Sequence, residues 1–400
     1  MKRKLMLKGA ILAGVVILVA LALWVGNMSA YRQVERLISE ANAMGIRTEI
    51  PPPMRNADAE RARKLLSKFS ELEEPLNKLN IYSDTEDPAE LKKYLDAVSP
   101  LFPAAEALSN CTSYGYKDSA PYLDALHGVM VLTARGNYAI HKRDFQSLLS
   151  SASAIRRIAD LMPHEDSLAN MLAATFCVEY CNMLQRAAEQ FGHPSQIAAI
   201  EAEADNWIRE SFKTAAAYLA GNELRLIDDA ANSKHPTTST WEKIQIAVQQ
   251  SPAAVARAKI EELRASMDIY PKWNDDEYVI SKHDGEEPWG GVYWIAKILK
   301  SQERQLRTSV RAMRLTIRAR RIKAETRDWP SIEDLGRLGL ETTDPISGKP
   351  YQWKKFEGKL RIVGAEINRT DDGISEGFVL LSPAESRRSA PSRSGSEQPF

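Results

Sequence analysis

Surplus charge is the first thing missing: 53 Lys and Arg stand against 53 Asp and Glu in 400 residues, a formal net charge of zero. That balance removes the global basic excess expected of a nucleic-acid-binding protein. Cysteine is scarce, with Cys111, Cys177 and Cys181 the whole complement. Without a Cys-x-x-Cys pair or a His-rich partner set, no tetrahedral zinc site assembles locally. The six histidines, His127, His141, His164, His193, His235 and His283, are scattered. His-Glu-x-x-His, Gly-x-Ser-x-Gly, Walker and dinucleotide patterns are all lacking, so the local spacings for metal, nucleophile or phosphate chemistry are missing too. His164-Glu165-Asp166 reads as the acidic start of a helix after Pro163, and His283-Asp284 as a solvated turn; both are weaker as acid–base pairs.

Long apolar runs are also rare, and the exception is at the start. From Gly9 to Val25 no charged residue interrupts the chain. Counted from Leu5, the segment would be about 31 Å long as a helix, close to the thickness of a bilayer's hydrocarbon core. A cleaved secretory signal is the rival, but its small-residue rule would put Met28 at the −3 position. The expectation is a basic cytoplasmic segment over 1–8 and an uncleaved transmembrane anchor over 9–27. Trp24 would sit at the far interface and the bulk of the chain would be periplasmic, in a single-pass arrangement at a bacterial inner membrane. Pro51-Pro52-Pro53 then closes a juxtamembrane helix and spacer over 28–56 as a stiff extended element.

Exported cysteines meet an oxidising compartment, which makes a Cys111 disulfide to Cys177 or Cys181 one expectation and three small buried thiols the other. Cys177 and Cys181, four apart on a helix, are poorly placed to bond each other.

Residues 57–326 read as a helical domain, with apolar periodicity over about 57–73, 88–98, 100–110, 119–142, 144–162, 166–191, 195–231, 240–249, 252–268 and 289–326. Asp144 and Ser251 are cap candidates. The short connection at 142–144 predicts an antiparallel helical hairpin that loosely resembles a tetratricopeptide pair, without the repeat signature. An irregular all-α bundle or short helical-hairpin solenoid is the expected fold. Between residues 270 and 300 aromatics crowd a stretch of weak periodicity, and they either pin a loop to the bundle or line a cleft.

Charge is unevenly placed. Residues 301–400 hold 19 Lys and Arg against 14 Asp and Glu, whereas residues 31–300 hold 30 against 39. Arg304, Arg307, Arg311, Arg314, Arg318 and Arg321 recur at alternating spacings of three and four, which aligns six guanidiniums on one helix face. Such a ribbon either grips an anionic partner or lies against acidic parts of the same chain. No aromatic residues interleave with it, as single-stranded nucleic acid would want.

Downstream, the chain runs Trp329-Pro330-Ser331, Leu335, Asp344-Pro345, Gly348, Pro350-Tyr351, a hairpin pattern around Glu357-Gly358, and Asp371-Asp372-Gly373. This order resembles the C-terminal part of the major pseudopilin of type II secretion over about residues 327–381. The resemblance implies a small α+β module with a calcium ion in the acidic loop, where Asp371 and Asp372 are the matching ligands. No other cofactor is implied, and the N-terminus lacks the prepilin leader arrangement. The layout of anchor, helical middle and pseudopilin-like end also resembles uncharacterised single-pass proteins of planctomycete-type bacteria, a class with no activity to carry over. Residues 382–400 are rich in Ser, Pro and Arg and read as a disordered tail.

These readings point to a membrane-anchored, exported helical interaction or scaffold protein. Its partners would be lipid through the anchor and another protein, with no nucleic acid. Two alternatives stand beside it: an exported hydrolase or lipid-modifying enzyme with a site near residues 270–295, using His283, Asp284 or Glu287, and an accessory of a secretion or pseudopilus-like system.

Overall fold

A computed structural model describes residues 26–50, 57–70, 88–112, 120–232, 250–281, 291–345, 347–356 and 359–363. They are mainly helical. Two compact units divide the chain: the first takes residues up to Pro52, His164–Ser167 and Phe212–Lys300, and the second takes Pro53–Pro163, Leu168–Ser211 and Ser301 onward.

In the first unit, helix α1 covers 26–43. It carries Arg32, Glu35, Arg36 and Glu40, while Val34, Leu37 and Ala41 are buried. That spacing gives one apolar stripe, so the helix packs sideways on a core and is not apolar all round. Gly45, at φ 87°, ends it in the left-handed conformation that glycine adopts without a Cβ clash. The Ile46 N–H then closes back on the Ala41 carbonyl at 3.0 Å. The stripe meets Ala220 and Leu224 of α9 (Lys213–Asn232), and Ala256, Ile260 and Leu263 of α10 (Pro252–Ile269). Ser251 caps α10 by accepting the Ala254 N–H.

The chain after α1 lies directly on α9. Arg47 N–H donates to the Ala217 carbonyl at 2.7 Å, and Gly221 N–H donates to the Arg47 carbonyl at 3.2 Å. A Cβ on Gly221 would stand 2.9 Å from that carbonyl oxygen and 3.1 Å from the Thr48 carbonyl carbon. Backbone cannot rotate away as a side chain does. Gly221→Ala is therefore expected to lose about 1–3 kcal/mol in urea unfolding, despite the better helix propensity of alanine. An unchanged midpoint would show that the 47–49 segment does not hold this approach.

The second unit begins with α2 (Ala57–Ser70), α3 (Pro88–Val98) and α4 (Phe102–Leu108), which surround α5 (Ala120–Lys142). α5 and α6 (Phe145–Leu161) form the expected antiparallel pair. Arg143 turns the chain at φ 56°, and Asp144 caps α6 by accepting the Ser147 N–H at 3.1 Å. Helices come close because small residues face each other. A Cβ on Gly136 of α5 would fall 2.1 Å from the Met183 sulfur of α7 (Ser167–Gln190) and 3.4 Å from the Ser151 Cβ of α6.

Continuous periodicity predicts one helix over 195–231, but the structure has two, α8 (Pro194–Asp205) and α9. Trp207 forces the break. It is fully buried, its indole N–H donates to the Arg209 carbonyl at 2.7 Å, and its ring lies 5.3 Å from that of Tyr180. Burying an indole requires a partner for its N–H, and the non-helical backbone at Arg209 supplies one.

A short helix α11 (Asp276–Ser281) precedes the long α12 (Val292–Thr326). Past α12, Ser331 and Asp334 form a reciprocal capping box at the start of α13 (Ile332–Arg337). Strands β1 (Gln352–Phe356) and β2 (Lys359–Val363) then pair antiparallel, with Trp353 opposite Ile362. Leu335, Tyr351 and Ile362 share one cluster with Ala312, Leu315 and Ala319 of α12, and the Trp353 indole donates to the Pro330 carbonyl at 2.9 Å.

The expected fold class needs two corrections. First, among the described residues no helix is long and apolar enough to cross a membrane. The transmembrane helix, the single-pass signal-anchor description and the inner-membrane placement with a periplasmic bulk are withdrawn on that finding. Residues 1–25, which hold most of the expected anchor, lie outside the described residues; from Gly26 the chain is the amphipathic α1. Second, the described residues of the C-terminal part do not form the self-standing α+β pseudopilin module that was expected. Among the described residues its sheet is a two-stranded hairpin, and its core is completed by α12. Two strands alone bury too little to stand independently. The third strand expected at 378–381 and the tail lie outside the described residues.

Candidate functional site

An open groove of 660 Å³ runs along the second unit between α6 and α8. Ser147, Ser150 and Ser153 form one wall, a spacing of three that keeps short polar side chains on one line. Ala199 and Ala202 form the other wall, again three apart, and the larger Gln146, Leu149 and Asn206 complete the lining. Arg135 stands at one end and is engaged by Glu106.

Glu203 closes the floor. Its carboxylate accepts from Arg156 Nε at 2.9 Å and from the Tyr180 hydroxyl at 3.3 Å, while its carbonyl accepts the same hydroxyl at 2.7 Å. Arg156 also reaches Asp160 at 3.3 Å. Burial, followed by the Glu203 charge, holds the Tyr180 phenol far above its ordinary value, so it stays a neutral donor. Asp160 is raised by burial, with Arg156 opposing. The charges fix the floor in place, beneath one wall that carries serine hydroxyls and another of alanine methyls. Neither Arg135 nor Glu203 stood out in the sequence. The Ser147-x-x-Ser150-x-x-Ser153 spacing was the available signal, and its meaning depends on α8 lying opposite.

Of the arginine ribbon on α12, Arg307 pairs with Glu303, and Arg311 pairs with Glu341 while donating to the Thr343 carbonyl at 3.2 Å. Arg314 bonds Glu210 and the Trp207 carbonyl, each at 2.7 Å. Arg318 and Arg321 share the Glu201 carboxylate at 2.7 and 2.9 Å, and Arg321 also meets Glu325 at 3.0 Å. Arg304, the first of the row, is half-buried on the same helix. Arg320, off the ribbon's register, pairs with Glu189 at 2.9 Å. Acids of α7, α8 and the 206–212 turn thus meet arginines of α12 within one unit.

Cys111, Cys177 and Cys181 are all buried with free sulfurs. The Cys177 and Cys181 sulfurs lie 3.8 Å apart. Burial pushes Cys111 up, and burial with the Cys181 contact pushes Cys177 well up, so neither is primed as a thiolate nucleophile.

In the first unit, aromatics of the 270–300 stretch fasten onto α10. Tyr278 and Tyr293 donate to opposite oxygens of Asp268 at 2.6 and 3.1 Å, and Lys272 reaches the same carboxylate at 3.2 Å. Trp273 is buried beneath Lys300, whose ammonium is 5.0 Å from the ring and 2.8 Å from Asp276. His283, Asp284 and Glu287 lie outside the described residues, as do Asp371 and Asp372 of the expected calcium loop. Among the described residues no group of three or more His, Cys, Asp or Glu is placed to hold a metal ion.

No family model, curated protein or solved structure matches this chain.

Proposed function

We infer that the protein is a helical interaction scaffold and that the α6–α8 groove is where it receives a polypeptide segment. The observation that supports this most is the pair of small-residue walls, Ser147, Ser150 and Ser153 facing Ala199 and Ala202. Small side chains on both helices leave a channel that admits a third backbone closely, and the Ser150 and Ser153 hydroxyls offer hydrogen bonds along it, while the Ser147 hydroxyl donates to Asp144. The ion pairs beneath are already satisfied within the unit, so Glu203 and Arg156 act as supports. Binding to such a surface is carried by shape and a few anchors, with the charged floor excluding unpaired acids and bases.

A photo-crosslinking residue at Ser150 tests the reading in the full chain in its native cells, with the same residue at exposed Leu338 as the control. The expected result is capture of a defined polypeptide from Ser150 alone, abolished when Ala202→Trp fills the channel. Equal capture from both positions, or insensitivity to Ala202→Trp, would overturn it.

A further inference from the structure

We propose that Glu223 and Glu262 form a proton-controlled latch on the first turn of α12, closed when Glu223 is protonated and loosened when it ionises. The geometry lies within the first unit. Gly291 sits at φ 83° immediately before the helix, and the Val292 N–H donates to Glu262 Oε2 at 2.7 Å. Glu262 Oε1 would be 2.8 Å from a Cβ at Gly291, so the carboxylate lies tightly over a position only glycine suits. It satisfies one of the amides that every helix start leaves without an internal partner, and its negative charge suits the positive end of the helix dipole.

A second carboxyl lies on α9, which packs through Ala220 and Leu224 against Ile260 and Leu263 on either side of Glu262. Glu223, on the buried side of α9, is 7% exposed, and its Oε1 is buried with no hydrogen-bond partner. An ionised carboxylate with one oxygen buried and unpartnered is penalised, while a neutral acid tolerates the site better. The neighbouring elements carry Arg257, Lys259, Glu261, Glu262, Arg264 and Asp268 on α10, Lys213, Arg225, Asp228 and Asp229 on α9 itself, Lys297 and Lys300 on α12, Arg32, Glu35, Arg36 and Glu40 on α1, and Arg47 and Glu49 after it. Lys259 is engaged by Asp228 at 2.6 Å, and Arg47 and Glu49 are exposed. Burial first, and the Glu262 charge second, raise Glu223 from 4.5 to about 7.

The sign follows from proton linkage. The folded form holds the Glu223 proton more tightly than the unfolded form does. The stabilisation is therefore full below about pH 4.5, is lost as pH rises through about 7, and changes little above that. Ionisation then places two like charges behind one helix start, and the movable member is Glu262, which leaves the Val292 amide.

Hydrogen exchange of peptides covering 291–299 in the full chain, corrected for intrinsic exchange and referenced to peptides from α6, reads the latch directly. Protection of this turn is expected to fall on the order of tenfold between about pH 5.5 and about pH 8, with the α6 reference steady. Glu223→Gln, which mimics the protonated acid, is expected to keep the high protection at both values. Glu223→Met gives the same readout should the glutamine variant fold poorly. A pH-independent wild type, or an undiminished fall in the folded Glu223 variant, would overturn the proposal.

Discussion

Replacing Trp207 with alanine is expected to cost the second unit about 3–5 kcal/mol, the range for emptying a buried large aromatic site. The side chain is completely buried, and three further features depend on it. Its indole holds the Arg209 carbonyl, its ring lies against Tyr180, and its own carbonyl accepts the Arg314 guanidinium at 2.7 Å. Arg209, nearly buried, in turn donates to the Met162 carbonyl at the end of α6. The segment 206–212 therefore ties α7 and α12 together through Trp207 and reaches the end of α6 through Arg209, which Trp207 holds. Trp207→Phe separates the contributions: it keeps most of the apolar volume but leaves the Arg209 carbonyl without the indole donor, for an expected loss nearer 1–2 kcal/mol. Urea unfolding followed by circular dichroism distinguishes them. Equal effects of the two variants would mean that volume matters little and the hydrogen bond nearly everything.

The second large effect is expected at Glu201. This carboxylate is 8% exposed and is shared by Arg318 and Arg321. Glu201→Ala leaves both guanidiniums without their common anion and is expected to destabilise by about 2–3 kcal/mol. That is below the full penalty for breaking a buried pair, because the arginines are 31% and 35% exposed and water partly compensates. Arg321 retains Glu325 at 3.0 Å, which limits the loss further. Arg318→Met is expected to cost only about 1 kcal/mol, since Glu201 keeps Arg321 and the methionine keeps the packed stem. A double-mutant cycle measures the coupling. If Arg318→Met proves as harmful as Glu201→Ala, the carboxylate is not a shared hub.

Local features were readable in the sequence where a short-range rule suffices. The apolar stripe of α1, the Asp144 and Ser251 caps, the reversal between α5 and α6 and the Ser331 start each involve residues within a few positions of one another. The hairpin at 352–363 belongs to the same group, since one turn and two alternating runs specify it. Reading failed where the deciding contact lies far along the chain. Periodicity runs unbroken through 195–231, and only the demand of Trp207 for a buried seat and a hydrogen-bond acceptor splits the helix there. The pseudopilin resemblance rested on the order of turn residues. Among the described residues, Leu335, Tyr351 and Ile362 pack on α12, a partner that the order of turn residues does not announce.

The candidate site was less legible than the fold. Nothing in the spacing of Ser147, Ser150 and Ser153 tells whether they face solvent or another wall, and Ala199 and Ala202 lie some fifty residues away. The arginines of α12 announced a charged face, but the acids that meet them, Glu201, Glu210 and Glu341, are about 30 to 120 positions distant. Glu223 and Glu262 look in the sequence like ordinary surface acids, because exposure is a property of packing.

By itself, then, the sequence determined that this chain is helical, where most helices begin, and which of their faces are apolar, since propensity, capping and periodicity act over a turn or two of backbone. Only the tertiary structure decided which charges are neutralised, which carboxyl is held out of water and where two small-residue faces open a channel. Those outcomes depend on distances between residues remote in the chain, and Coulomb and desolvation energies are set by distance and burial, not by order.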